Sequence, residues 1–330
     1  MANYKELEGF GVQTLATDPD NPSWVGSIFY NSTEGVFKTV KPGGISAGTW
    51  ASAPNLNSSH GDTATGAGTQ TAALVMGGSP NQAIVENYNG SSWTEVGDLN
   101  TARYQIRAGG GTQTAAIIAG GYVAPTANNS NFVESWNGTS WTEITEINTG
   151  RRGATSSHSA NSQTAIVIFG GYDGTSPVAI TESWNGSAWT ELNDIPTGIY
   201  VGGGGGTTTS AFIAGGQTPG APTNQSFAWD GTNWSSAPNI NTTRAELQGV
   251  GGSSDDGLVF GGASGLNAQT EYYDGTSWTE QADLANAKQN SSNHSGTTGA
   301  AITGAGRPDP YVGSEEWNAP DILVKTFTTS

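Results

Sequence analysis

The 330-residue chain contains no cysteine, two methionines and only 11 lysines and arginines. Without cysteine there is no disulfide, zinc–thiolate site, iron–sulfur centre or cysteine nucleophile. The 28 aspartates and glutamates leave a net charge of −17. That balance argues against nucleic-acid binding, which needs clustered lysine and arginine to displace counterions. No run of 18 apolar residues is present, so no membrane insertion is expected. The start, MANYKELEGFG, has no basic segment followed by an apolar one, so no secretory signal is expected. No segment sustains a 3.6-residue apolar period, so long amphipathic helices are not expected either. What the chain has instead is 49 glycines together with 11 Trp, 10 Tyr and 9 Phe. Glycine alone would suit a disordered chain, but aromatic residues in these numbers need packed cores.

A repeat sets the architecture. Five segments align: ENYNGSSWTE from residue 86, ESWNGTSWTE from 134, ESWNGSAWTE from 182, FAWDGTNWSS from 227 and EYYDGTSWTE from 271. Their second tryptophans are Trp93, Trp141, Trp189, Trp234 and Trp278, and Trp50 joins the column because ASAPNLN follows it as SSAPNIN follows Trp234. The six are 43 to 48 residues apart. Before each aromatic pair an apolar run ends in two glycines, the second being Gly78, Gly121, Gly171, Gly216 and Gly262, with a decayed copy around Gly304. Each unit reads as four strands: one rich in Gly, Ser and Thr, the apolar run, the Glu-x-aromatic segment and the Trp-Thr-Glu segment. Asn-Gly or Asp-Gly joins the last two, as a tight hairpin turn requires. The glycine pairs are expected to permit close backbone approach near a crowded axis, and the tryptophans to fill space between units.

Four-stranded units of this period, with a Gly-Gly strand and a distant tryptophan, resemble kelch repeats over roughly residues 47–318. The resemblance implies an all-β fold with a six-bladed β-propeller. The last unit has no fourth-strand tryptophan of its own, so the strand around Trp50 is expected to complete it and remove an open edge. This divides the chain into an N-terminal β-hairpin anchor (1–45), the propeller (46–319) and a C-terminal strand (320–330) packing with the N-terminal module.

Two columns run between the units. Six residues after each column tryptophan stand Leu56, Leu99, Ile147, Ile195, Ile240 and Leu284, expected to pin the connection to the core. Ten residues after it stand His60, Arg103, Arg151, Ile199, Arg244 and Lys288. With Arg152, the basic members are the candidate partner-binding residues, as a ring at the mouth of a central channel. Two readings stay open: each base pairs with a nearby glutamate, or the ring holds an acidic or polar ligand. The kelch resemblance implies the second, because such propellers often hold acidic peptides at a basic mouth. A ligand ring predicts that Arg103→Ala with Arg151→Ala weakens binding while stability is kept.

Catalysis is not expected, and neither a cofactor nor a metal. The histidines, His60, His158 and His294, show no ligand-spaced pair. Arginines with Tyr104 and Tyr200 leave sialidase-type chemistry as a remote option, without Asp-box motifs.

The N-terminal GSIFYNSTEGVFKTV (26–40) reads as two strands around an Asn-Ser-Thr-Glu-Gly turn, after an extended polar linker. This segment, like the SWNGTSWTE flavour of the repeats, resembles virion proteins of marine tailed bacteriophages. The resemblance implies a structural protein on the surface of the phage particle, assembled in the host cytoplasm. It would be anchored to other virion proteins through Ile28, Phe29, Tyr30, Val36 and Phe37, and would present a propeller face to a host surface glycan or protein. A tail fibre or tail-associated adhesin is the first expectation. A head decoration protein and a bacterial lectin-like or scaffold propeller are the alternatives.

Overall fold

A computed structural model describes residues 12–42, 45–61, 64–125, 128–158, 162–263, 265–290, 295–307, 312–320 and 322–326. It is all-β, with short 3-10 turns at Pro22–Trp24 and Ile45–Ala47 as its helical elements among the described residues. The chain forms two compact units, Thr49–Asn318, and Met1–Gly48 with Ala319–Ser330.

The larger unit contains six four-stranded antiparallel sheets. The first is Thr65–Thr69, Ala72–Gly78, Gln82–Tyr88 and Trp93–Glu95. The second, after Ala108–Thr112 and Ala115–Ala119, has Val133–Trp136 and Trp141–Ile144. The third to fifth follow the same order, opening with Thr155–Ser156, Gly203–Gly206 and Gln248–Ser253. The sixth takes three strands from Ser295–Gly296, Ala300–Gly304 and Ser314–Asn318, and its fourth, Thr49–Ala53, from the other end of the sequence. In that last pairing Trp317 faces Trp50 and Asn318 faces Thr49.

Burial explains the composition of each strand. Second strands such as Ile166–Phe169 are buried at every residue, so both their faces are covered and they read as continuous apolar runs. In third strands the glutamate and the aromatic are buried with a half-buried residue between them, as in Val133–Trp136. The third-strand aromatic stands across the turn from the fourth-strand tryptophan, as Trp136 from Trp141. These rings lie 4.8 to 5.5 Å apart in all six units.

The fourth-strand tryptophans bind sheet to sheet. Each indole Nε1 donates to the preceding unit: Trp93 to Pro54 O, Trp141 to Gly97 O, Trp189 to Thr145 O, Trp234 to Thr181 Oγ1, Trp278 to Pro238 O and Trp50 to Thr270 Oγ1, all within 2.8–3.0 Å. Because Trp93 of the first unit reaches Pro54 of the sixth, the order of neighbours is cyclic. The first strands follow the same order, each beside the next and the sixth beside the first. Tyr88 Oη adds a bond to Glu316 across the same junction, and its burial with that carboxylate pushes its pKa up to about 12.

The glycine pairs do close-approach work, against the connections between the sheets. A Cβ on Gly78 (φ +128°) would stand 1.8 Å from His60 O, and one on Gly120 (φ +69°) 2.5 Å from Arg151 O. Each pair is wedged between the connection entering its own unit and the one entering the next. The second glycine's N–H completes the stitch, as in Gly78 to Arg103 O and Gly121 to Arg151 O.

In the smaller unit Ile28–Asn31 and Val36–Pro42 form the expected hairpin. Gln13–Leu15 pairs with it in parallel on one side, and Ile322–Thr326 antiparallel on the other. The segment read as a linker is tied down: Asp18 Oδ2 lies 2.7 Å from Lys38 Nζ. Alternation then sorts the proposed anchor residues. Phe29 and Val40 are buried, Tyr30 and Val36 are half-buried, and Ile28 and Phe37 are 49% and 52% exposed. Phe29 is therefore part of the module's core and offers nothing to a partner.

Candidate functional site

The connections between sheets carry five of the chain's 11 lysines and arginines, and all but the one entering the fourth unit follow one plan. The aliphatic residue is buried in all six, and its N–H bonds the segment before the third strand, as Ile147 to Asn131 O. The next residue is usually asparagine; its N–H reaches the third-strand glutamate, and in three of the four cases Nδ2 does too, Asn241 Nδ2 going to Trp278 O instead. Asn57 donates twice to Glu86 Oε2 at 2.9 Å, and Asn100 and Asn148 do the same to Glu134 and Glu182. The base then closes on that glutamate. Arg103 Nη2 is 2.8 Å from Glu134 Oε1, Arg244 Nη2 is 3.1 Å from Glu271 Oε1, Lys288 Nζ is 3.2 Å from Glu315 Oε1, and Arg151 pairs with Glu182. His60 Nε2 lies 3.2 Å from Glu86 Oε1, with its Nδ1 on Gly77 O.

These bases do not line an open mouth. His60, Arg103, Arg151 and Arg244 are at most 1% exposed, and Lys288 is 6% exposed. Burial pulls the Arg103, Arg151, Arg244 and Lys288 pKa values down despite the facing carboxylates. Burial pushes Glu86 upward, but His60 and the Asn57 and Ser58 N–H groups outweigh it and leave its carboxyl below the usual range. The five positions expected to bind a partner are thus internal struts, because the glutamate column faces them directly.

The fourth unit demonstrates the logic by omission. There Ile199 replaces the base, Phe227 replaces the glutamate, and Pro196 stands where Asn148 stands in the third. Ile199 and Phe227 are buried together in one apolar cluster. Proline lacks the N–H that the glutamate would have accepted, so all three polar partners disappear as a set. This covariation was visible in the sequence once the two columns were laid side by side.

Sequence reasoning missed the centre of the larger unit. Arg107, buried at the start of the second unit's first strand, donates from Nη1 to Leu247 O (2.7 Å) and Gly202 O (3.4 Å), and from Nη2 to Asn290 Oδ1 (3.5 Å). One side chain from the second unit thus holds the fourth, fifth and sixth. The signal was present: at the same offset from the column tryptophan the third, fourth and fifth units have Thr155, Gly203 and Gln248, all uncharged. A backbone chain runs nearby, in which Gly153, Val201, Glu246 and Asn290 each donate N–H to the carbonyl of Gln105, Gly153, Val201 and Glu246 in turn.

His158 is buried beside Arg107 O and Ser156 Oγ, and burial drives its pKa down to about 3. A histidine held neutral in the fold but protonating near 6.5 when unfolded contributes stability above that value and loses it as pH falls towards 3. The thermal midpoint should therefore decline between about pH 6.5 and 3, and His158→Gln should flatten that slope. An unchanged slope in thermal melts of the variant would refute the assignment. His294 lies outside the described residues, and among those residues no group of three or more metal-ligating side chains is gathered.

Arg152 stands apart from its neighbour Arg151. It is half-buried, with Cζ over the Tyr122 and Tyr172 rings at 5.0 and 4.7 Å from their centroids. No carboxylate lies within ion-pair distance of it among the described residues. Of the six basic candidates, Arg152 alone keeps solvent access. No protein-family model and no curated protein matches this chain.

Proposed function

We propose that the six sheets form a kelch-like six-bladed β-propeller sealed by the N-terminal strand, and that the chain is a non-enzymatic structural protein of a bacteriophage particle. The pairing of Thr49–Ala53 with Ser314–Asn318 carries the first half of this reading. Blades that each lack a complete core alone bury one by stacking, and a shared last blade ties the ring shut. The polar centres support a scaffold over an enzyme: Arg107 and the buried glutamate–base pairs are spent on holding units together.

The terminal module supports the second half. Ile28, Tyr30 and Phe37 lie together on one face of its sheet, with Tyr30 and Phe37 rings 5.1 Å apart. Exposed apolar side chains grouped this way suit attachment to another protein, here a neighbouring component of the particle. The loops joining second to third strands, which differ most between units, remain for contact with a host surface. A tail fibre or tail-associated adhesin is the position this division of labour fits best, with capsid decoration as the alternative.

Copy number per purified particle, measured by quantitative mass spectrometry against the major capsid protein, tests the reading. A small multiple of three or six places the chain on the tail, and a count comparable to the capsid lattice makes it a head decoration protein. Absence from particles overturns the reading and leaves a bacterial lectin-like or scaffold propeller. Ile28→Asp with Phe37→Asp should reduce incorporation by at least about tenfold while the melting curve stays nearly unchanged, since both side chains are already in water. Normal incorporation of that double variant would refute the anchoring role.

A further inference from the structure

One place breaks the equivalence of the units. After each base, the chain forms a short antiparallel bridge with the residue following the glycine pair. The bridged residues are Tyr104 with Tyr122, Arg152 with Tyr172 and Tyr200 with Gln217 in the second to fourth units, but Ala245 with Ala263 in the fifth and Gln289 with Arg307 in the sixth, where no aromatic is present. The same backbone position thus carries large aromatic groups and a cation on one side of the cycle and methyl groups on another. Structural duty cannot require the aromatics, because the fifth unit makes the same backbone bridge without them.

The cluster is pre-assembled. Tyr104 packs edge-on to Tyr122 at 5.2 Å, and Tyr172 and Tyr200 lie 5.5 Å apart. The four rings and Arg152 are all half-buried. Room is made for them: a Cβ on Gly153 would stand 2.2 Å from the Tyr200 ring. The guanidinium carbon lies over the Tyr122 and Tyr172 rings, and Nη1 donates to Asn129 Oδ1 at 3.3 Å. Its Nε is sealed from solvent and its head also meets the Tyr200 hydroxyl, so the remaining Nη N–H groups are the donors left for a ligand. A guanidinium so held is prepared for in-plane, two-bond recognition of a carboxylate.

The geometry points to a binding site for a carboxylated saccharide, with Arg152 taking the sugar carboxylate and the flanking tyrosine rings stacking on the pyranose. Tyrosine offers both an apolar face for sugar C–H groups and a hydroxyl for its polar edge. The cluster contains one cation, Arg152, which matches one carboxylate per sugar. A run of acidic peptide side chains would call for several cations, and the others of this column are buried on glutamates. The inference deepens the proposed host-contact role and rests on it only for where such a sugar would be met.

The test is calorimetric titration of the full chain with a galacturonic acid tetramer, a neutral galactose tetramer and a glutamate oligomer of equal charge. The galacturonic acid tetramer should bind at least about tenfold more tightly than either control. Arg152→Met should abolish that preference, and Arg152→Lys, which keeps the charge and loses the fork, should weaken binding at least several-fold. Thermal melts of Arg152→Lys should stay close to wild type, so that its loss reads as recognition. No binding of the uronic tetramer, equal binding of the neutral tetramer, or unaltered binding by both variants overturns the proposal. Tighter binding of the glutamate oligomer replaces the saccharide with an acidic peptide. Failure here leaves the particle copy number untouched, and a chain absent from particles can still bind the sugar, so the two readings fall separately.

Discussion

Arg151→Ala is expected to cost about 3–5 kcal/mol, lowering the thermal midpoint by roughly 10 °C or more. The loss arises because Glu182 stays buried after its cation is gone, left with only the Asn148 and Thr149 donors. An exposed arginine of a ligand mouth would give a change within about 0.5 kcal/mol. The fourth unit supplies the companion experiment. Arg151→Ile, Glu182→Phe and Asn148→Pro together convert the third connection to the Ile199, Phe227 and Pro196 set. A buried ion pair replaced by packed apolar groups is often neutral or stabilising, so the triple variant should recover at least half of the single variant's loss. Denaturant melts of both decide the matter. A harmless Arg151→Ala, or a triple variant no better than the single one, would show that these pairs are not the struts described.

Removing one short strand should have a larger effect. A chain of residues 46–319 is expected to unfold cooperatively, whereas one of residues 55–319 should lose more than about 5 kcal/mol and with it cooperative unfolding. The shorter chain lacks Trp50, whose ring contacts Phe260 and Trp317 and whose Nε1 bonds Thr270. It also leaves Ser314–Asn318 as an unpaired edge, which invites aggregation. A peptide of residues 46–54 added in trans should restore the transition. Equal stability of the two chains in calorimetry would refute closure by the N-terminal strand.

Much of this was legible in the sequence because the repeats supply their own alignment. Six tryptophans at near-constant spacing located the fourth strands, the apolar runs located the second, and the missing tryptophan after Trp317 identified Thr49–Ala53 as the completing strand. The C-terminal strand beside the hairpin was also readable from its apolar pattern. The basic column was located correctly, and of the two readings left open for it, pairing with a nearby glutamate is the one found, not a ligand mouth. A column shows that residues are equivalent, but not what each one faces. His60 and Glu86 are 26 residues apart, and Arg103 and Glu134 are 31. Whether such pairs meet depends on how a connection folds back over the third strand.

The sequence by itself determined the repeating unit, its strand order, its turns and the way the chain ends are shared, because those follow from local periodicity and turn chemistry. Only the tertiary structure decided which polar groups are internal and which reach solvent. Arg151 and Arg152 are adjacent in the chain, yet one is sealed against Glu182 and the other lies half-buried over two tyrosines. Successive residues of an extended backbone point to opposite sides, so neighbours in sequence enter different environments. Those environments are built by residues from other units, and no local pattern contains them.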